Sequence, residues 1–231
     1  MKDLAQQTVG QIVADDYRAS QIFRAKGMDF CCGGKKTLSS VCKAKNIELD
    51  EVLKELSALQ DSETEQHHFN EWNLDFLADY IVQNHHSYVR KMLPELKFYA
   101  DKVARVHGDS YPQLLEVLEK VDQLSYELLD HLEKEEIDLF PQIKEMVQQK
   151  NSGLAKGSLL EILEAEHENA GEIMSEIESL TDNFTPPEDA CASFRVLFKN
   201  LEGFQKDLHK HVHLENNILF PKALELESRL N

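Results

Sequence analysis

Nine glycines and six prolines in 231 residues leave little room for a fold built on many tight turns. No run of about 18 apolar residues occurs, which excludes a membrane-spanning helix. The stretch from Met1 to Ile12 is polar and lacks the apolar core of a secretion signal, so the chain is expected to stay in the cytoplasm. Cysteine is scarce: Cys31, Cys32, Cys42 and Cys191 in a cytosolic protein argue against a structural disulfide framework. Basic residues are few, 25 against 42 acidic, for a formal net charge of −17. With no Lys/Arg cluster to offset it, that surface repels phosphate backbones and excludes nucleic acid and membrane as expected partners.

What remains is helix-forming sequence. Apolar residues fall at helical rather than alternating spacing, as in Leu114, Val117, Leu118, Val121, Leu124 and Leu128. Residues 1–60 read as a small helical domain, with a helix from about Thr8 carrying Val9 to Phe23 and ended by Gly27. A turn follows at Met28–Gly34, then a short helix capped by Thr37 or Ser39 and another over Leu49–Leu59. The polar stretch 61–70 reads as a linker. Residues 71–231 supply four long amphipathic helices, about 73–106, 112–149, 158–180 and 187–228. Short polar connections between them predict an all-α, up-down-up-down four-helix bundle. Pro94, Pro141 and Pro221 fall inside these spans and predict kinks or early ends.

Two segments repeat 80 residues apart. One reads His131-Leu132-Glu133-Lys134-Glu135 and then Leu139-Phe140-Pro141; the other reads His211-Val212-His213-Leu214-Glu215 and then Leu219-Phe220-Pro221. A lone histidine precedes each, His86 by 45 residues and His167 by 44. Since 42 of the residues are acidic, a single His-x-x-x-Glu pair such as His67–Glu71 means little and reads as a solvated helix pair. The shared register is what carries weight. It predicts a two-metal centre in the bundle core, with His86, His131, Glu135, His167, His211 and Glu215 as ligands. If both glutamates bridge, each metal receives two imidazole nitrogens and two carboxylate oxygens, and an oxide or hydroxide bridge leaves one position open. Nitrogen and oxygen donors without thiolate suit iron, manganese or zinc; this set favours two irons per chain, with zinc as the competitor.

Around those ligands, Glu127 and Asp207 stand four residues before His131 and His211 and are expected to accept their imidazole N–H groups. Glu166, beside His167, has a weaker claim on the same cavity. His85 points about 100° away from His86 on a helix, and His86 fits the repeat better. His67, His68, His107, His209 and His213 read as surface or loop histidines, and Cys42 and Cys191 as buried or incidental.

Longer segments carry a resemblance. Residues 71–228 resemble hemerythrin-like proteins, and nearly the whole chain is similar to the repair-of-iron-centres family of di-iron proteins. The similarity rests on Phe30-Cys31-Cys32-Gly33-Gly34, on Glu166 to Gly171, on Thr185-Pro186-Pro187 with Ala190-Cys191, and on His211 to Pro221. It implies a non-haem, carboxylate-bridged di-iron protein of the bacterial cytoplasm, with a homodimer expected. Such a protein answers nitrosative and oxidative stress by restoring damaged iron–sulfur clusters, its clients, through donation of iron. Reduction of nitric oxide or peroxide at the same centre, or sensing of O2 or NO, are the alternatives.

Oxygen-carrying hemerythrins have a second histidine four residues after the third-helix ligand, where this chain has Gly171. Glycine within a helix costs about 1 kcal/mol relative to alanine. Gly171 is therefore expected to face the metals and leave a labile, open site. The Cys31–Cys32 pair reads as a redox thiol or a capture point for iron or a cluster, with a lowered pKa if it opens a helix.

Overall fold

The computed structural model describes residues 4–60, 68–150, 153–154 and 157–231, without the side chains of residues 60, 157 and 158. His67 and most of the expected linker, 61–70, lie outside the described residues. The fold is all-α: a four-helix bundle preceded by small helices.

Short helices α1 (Val9–Asp15) and α2 (Ala19–Ala25) replace the single helix expected from Thr8 to Gly27. Thr8 caps α1 by accepting the Gln11 N–H. The break falls at Asp16, whose carboxylate turns back to accept the Arg18 backbone N–H at 3.0 Å and the Arg18 guanidinium at 2.8 Å. Thr37 caps α3 (Leu38–Lys45), which ends at Asn46 in the left-handed region, and α4 (Leu49–Gln60) follows.

Each long helix but the third is an α-helix interrupted by one π-helical turn. The first is α5 (Leu74–Tyr80), a π turn over Ile81–His86, and α6 (Ser87–His107). The second is α7 (Gln113–Lys134), a π turn over Glu135–Leu139, and α8 (Phe140–Val147). The third is α9 (Gly157–Leu180). The fourth is α10 (Ala192–Leu214), a π turn over Glu215–Leu219, and α11 (Phe220–Leu230). It starts at Ala192, after Cys191 at the N-cap position and later than the Pro186-Pro187 pair suggested. α6 packs on α7 and α10, and α9 packs on the same two, closing a four-membered ring.

The prolines neither end nor break these helices. Pro94 lies inside α6, whose apolar stripe (Val89, Leu93, Leu96, Ala100, Val103) is buried. That burial offsets the roughly 3 kcal/mol cost of a lost hydrogen bond and a ring clash. Pro141 and Pro221 each stand at the second residue after a π turn, where the wider turn absorbs the missing N–H.

Two apolar clusters fill the interior. One joins the N-terminal helices to the α6–α7–α9–α10 end of the bundle, around Phe23, Leu93, Phe194 and Phe204. The other gathers around Leu77, Phe140, Ile143 and Phe220 at the α5–α8–α11 end. Buried polar side chains lie between them, among them His86, His131, Glu135, His167, His211 and Glu215, each at most 2% exposed.

The N-terminal helices lean on the fourth helix. Asn217 donates its amide to the Phe30 carbonyl at 3.1 Å and the Cys31 carbonyl at 3.3 Å. Its head fits a notch that only glycine permits: a Cβ would fall 2.0 Å from Asn217 Oδ1 at Gly10 and 2.5 Å from it at Gly34. This contact buries His213 completely, and burial pushes its imidazole pKa down to about 3. The reading of His213 as a surface residue is therefore corrected, because the covering module is remote in sequence. His209 is also half-buried, whereas His68 is exposed. Cys42 is buried; Cys191 is exposed, 3.2 Å from His107 Nε2.

Candidate metal centre

The three π turns sit where the chemistry is. Each widens the backbone at His85-His86, Glu135-Glu136 or Glu215-Asn216, so adjacent residues reach different partners. Of the two neighbouring imidazoles, His86 enters the cluster. His85 turns to donate its Nδ1–H to Asp207 Oδ1, 2.9 Å away, with its ring stacked on that of His211 at 5.6 Å.

The six residues singled out by the repeat come together as two overlapping groups. One is His86, Glu135, His211 and Glu215; the other is His131, Glu135, His167 and Glu215. Within each, one potential ligand atom per residue lies within 4.8 Å of the others. His86 Nε2 faces His211 Nε2 at 3.1 Å, and His167 Nε2 faces His131 Nε2 at 2.9 Å. Ligands at right angles on a metal with bonds of about 2.1 Å stand about 3 Å apart, so both spacings suit two imidazoles sharing one cation.

The carboxylates span the two groups. Glu135 sets Oε2 3.3 Å from His86 and Oε1 3.4 Å from His131. Glu215 sets Oε1 2.9 Å from His211 and Oε2 3.2 Å from His167. Neither side chain is exposed, and both Glu135 oxygens and Glu215 Oε2 have no hydrogen-bond partner among the described residues. An uncompensated buried carboxylate costs several kcal/mol, and two adjacent ones repel. A bound cation would supply what hydrogen bonds do not, so the donor set fits metal.

The charges lean on one another in the same way. Burial opposes protonation of His86 and His131, but Glu135 and Glu215 outweigh it and raise them to about 9 and about 10. Burial holds His211 down, consistent with facing nitrogens of which one keeps its lone pair. Glu135 and Glu215 stay below the usual carboxylate range despite burial, held there by the imidazoles.

Outside the cluster the imidazoles are braced by residues other than those expected. Glu127 pairs with Gln123 and Asn169, and Asp207 reaches His85, so neither touches a clustered imidazole. Both lie on the same helix as the histidine they were assigned to, whereas Nδ1 points across to a neighbouring helix. His86 Nδ1 meets Glu136 Oε1 at 2.7 Å, His131 Nδ1 meets Glu166 Oε2 at 2.8 Å, and His167 Nδ1 meets Asn216 Oδ1 at 2.8 Å. Glu136 is anchored by Arg90, and Glu166 by Lys134. The His131 hydrogen bond and Lys134 pull Glu166 down to about 2. Glu136 and Asn216 were missed, yet a signal was present: each directly follows the glutamate of the repeat. The repeated Leu-Phe-Pro register also finds a use, since Phe140 stacks on His86 at 5.6 Å and Phe220 on His167 at 6.0 Å.

Gly171 does not leave open space toward the cluster. A Cβ there would meet Cys32 Sγ at 3.5 Å, and that thiol donates to the His167 carbonyl at 3.4 Å. The seat where oxygen carriers place a histidine is covered by the cysteine turn. That turn is organised by Asp29, which accepts the N–H groups of Cys31, Cys32 and Gly33 at 2.9, 3.1 and 2.7 Å. The expected acidic thiol is corrected for Cys31: Cys32 beside it, burial and Asp29 all push its pKa well up. A cavity of about 630 Å³ opens beside the pair, lined also by Arg24, Lys36, Glu168 and Glu172. All four cysteines are free thiols.

A four-helix bundle with two buried imidazole pairs and two shared carboxylates defines a cation-binding bundle of the hemerythrin type. The chain matches the hemerythrin HHE cation-binding domain over residues 77–223, and a domain of unknown function (DUF542) over residues 5–60. It is 39% identical to the iron–sulfur cluster repair protein YtfE of Yersinia pseudotuberculosis over 228 residues, which cover 97% of this chain and all of the relative. It is 38% identical over the same span to the protein of that name from Yersinia pestis. The chain belongs to the YtfE family of iron–sulfur cluster repair proteins. No helix among the described residues is long and apolar enough to cross a membrane.

Proposed function

We propose that this protein holds two irons between His86, His131, Glu135, His167, His211 and Glu215 and repairs damaged iron–sulfur clusters by giving up that iron. The observation that carries the reading is the division of the Glu135 and Glu215 oxygens between two imidazole pairs, in a core where three of those four oxygens have no hydrogen-bond partner among the described residues. Family membership points to iron among the metals that nitrogen and oxygen donors accept.

With metal bound, each imidazole would present Nε2 inward as a lone pair, and Glu136, Glu166 and Asn216 would fix that tautomer in His86, His131 and His167 by accepting Nδ1–H. Glu135 and Glu215 would each give an oxygen to both positions and offset the metals' charge, and Phe140 and Phe220 cover the rings of His86 and His167. Bound iron supplies redox and Lewis-acid chemistry here, and it is also the cargo. Cys31 and Cys32 take part as soft ligands on the way out: Cys32 touches the backbone of His167 and lines the cavity through which a client's damaged cluster approaches. Cys31, whose pKa is held up by Cys32, burial and Asp29, receives iron only as it loses a proton, which limits idle capture.

The test incubates reduced, iron-loaded full-length protein with an apo or damaged iron–sulfur enzyme, and separately with nitric oxide. Recovery of the client with matching loss of iron from this protein is expected. Many turnovers of nitric oxide with no recovery would replace donation by reduction.

A further inference from the structure

The repeat that builds the cluster also shows where its symmetry fails. The pseudo-two-fold relation pairs His86 with His167 and His131 with His211, and it pairs Glu135-Glu136 with Glu215-Asn216. Glu136 accepts from His86, and Asn216, in the equivalent place, accepts from His167. The third brace, Glu166, directly precedes His167 and accepts from His131. Its equivalent directly precedes His86 and is His85. His85 stands where symmetry puts it, against His211, but it stacks ring on ring, 7° from parallel, so its in-plane nitrogens do not meet His211 Nδ1. Its own Nδ1 is taken by Asp207. His211 Nδ1 is buried and has no hydrogen-bond partner among the described residues. Three of the four imidazoles are thus braced and one is not.

A hydrogen-bond acceptor behind a ligating imidazole fixes the ring and raises its basicity, and removing one typically lowers metal affinity roughly 10–100-fold. The ligating atoms themselves do not offset this difference, because each imidazole pair sees one oxygen from each glutamate. Resting on the two-metal reading above, we propose that the two positions are unequal, and that iron leaves first from the one held by His86 and His211. The other, held by His131 and His167 with both imidazoles braced, is the retained position. Repair then delivers one iron per cycle and keeps the second, which holds Glu135 and Glu215 in place for reloading.

The test follows iron release from the full-length, iron-loaded protein to a coloured chelator, with total iron measured alongside. Two phases of equal size are expected, separated about tenfold or more in rate. His85→Gln, which keeps all six ligands and supplies an acceptor beside His211, slows the fast phase. Asn216→Ala, which also keeps all six but strips the brace from His167, speeds the slow phase and narrows the gap. Diffraction at the iron edge from a half-depleted sample shows the remaining metal between His131 and His167. A single phase in the parent protein, or residual metal between His86 and His211, overturns the inference while leaving a two-iron centre intact. Fewer than two irons at full loading contradicts the two-metal reading itself.

Discussion

The two imidazole pairs have the same ligand types, the same shared carboxylates and nearly the same spacing, 3.1 and 2.9 Å, yet different support. Around His131 and His167, a carboxylate anchored by Lys134 and an amide hold both rings. Around His86 and His211, Glu136 with Arg90 holds one ring, and stacking alone holds the other. A centre can therefore be symmetric in what touches the metal and asymmetric in what holds the ligands. For a donor the second property matters more, since release depends on how readily a ligand swings away.

The largest perturbation should abolish the comparison. Glu135→Gln or Glu215→Gln removes a ligand from both positions, so both irons should be lost, by more than the roughly 10–100-fold an outer brace is worth. Metal analysis of the purified variants checks this; retention of one iron would mean that the glutamate serves one position only. Stripping both irons from the parent protein should cost about 8 kcal/mol if each is bound at a thousand times its Kd. That corresponds to a fall in melting temperature of roughly 20 °C for a chain of this size, read by circular dichroism with and without chelator.

Smaller changes should tilt the comparison. Glu166→Ala removes the brace of His131 and should bring the two release rates together, whereas Glu136→Ala removes that of His86 and should drive them apart, each by about tenfold or more. The smallest effects concern the cysteine turn, where thermal denaturation of paired variants is the measurement. Gly34→Ala places a Cβ 2.5 Å from Asn217 Oδ1 and 2.6 Å from the Phe30 carbonyl, and should cost about 1–3 kcal/mol. Gly171→Ala meets only Cys32 Sγ at 3.5 Å and should change stability by less than about 1 kcal/mol, with the helix gaining from alanine.

How much of this was legible in the sequence depends on the range of the interaction. The clustering of His86, His131, Glu135, His167, His211 and Glu215 was readable because a duplicated register repeats the geometry as well as the residues. The long helices were readable from period, though not the π turns, because Pro141 and Pro221 signal an interruption without saying that the helix widens and continues. Glu127 and Asp207 misled because spacing along one helix reports what lies on that helix, while Nδ1 points to the next one. Glu136 and Asn216 could have been found by extending the repeat by one residue. The burial of His213 and the cover of Gly171 by Cys32 could not, because both depend on how the N-terminal helices dock, and that docking rests on two glycines and an asparagine far apart in the chain.

The most direct test of the central claim is the iron-edge anomalous diffraction of crystals of the fully loaded protein. Two peaks are predicted, one between His86 and His211 and the other between His131 and His167, each within bonding distance of oxygens from both Glu135 and Glu215. A single peak, or two that do not share those carboxylates, would contradict the account.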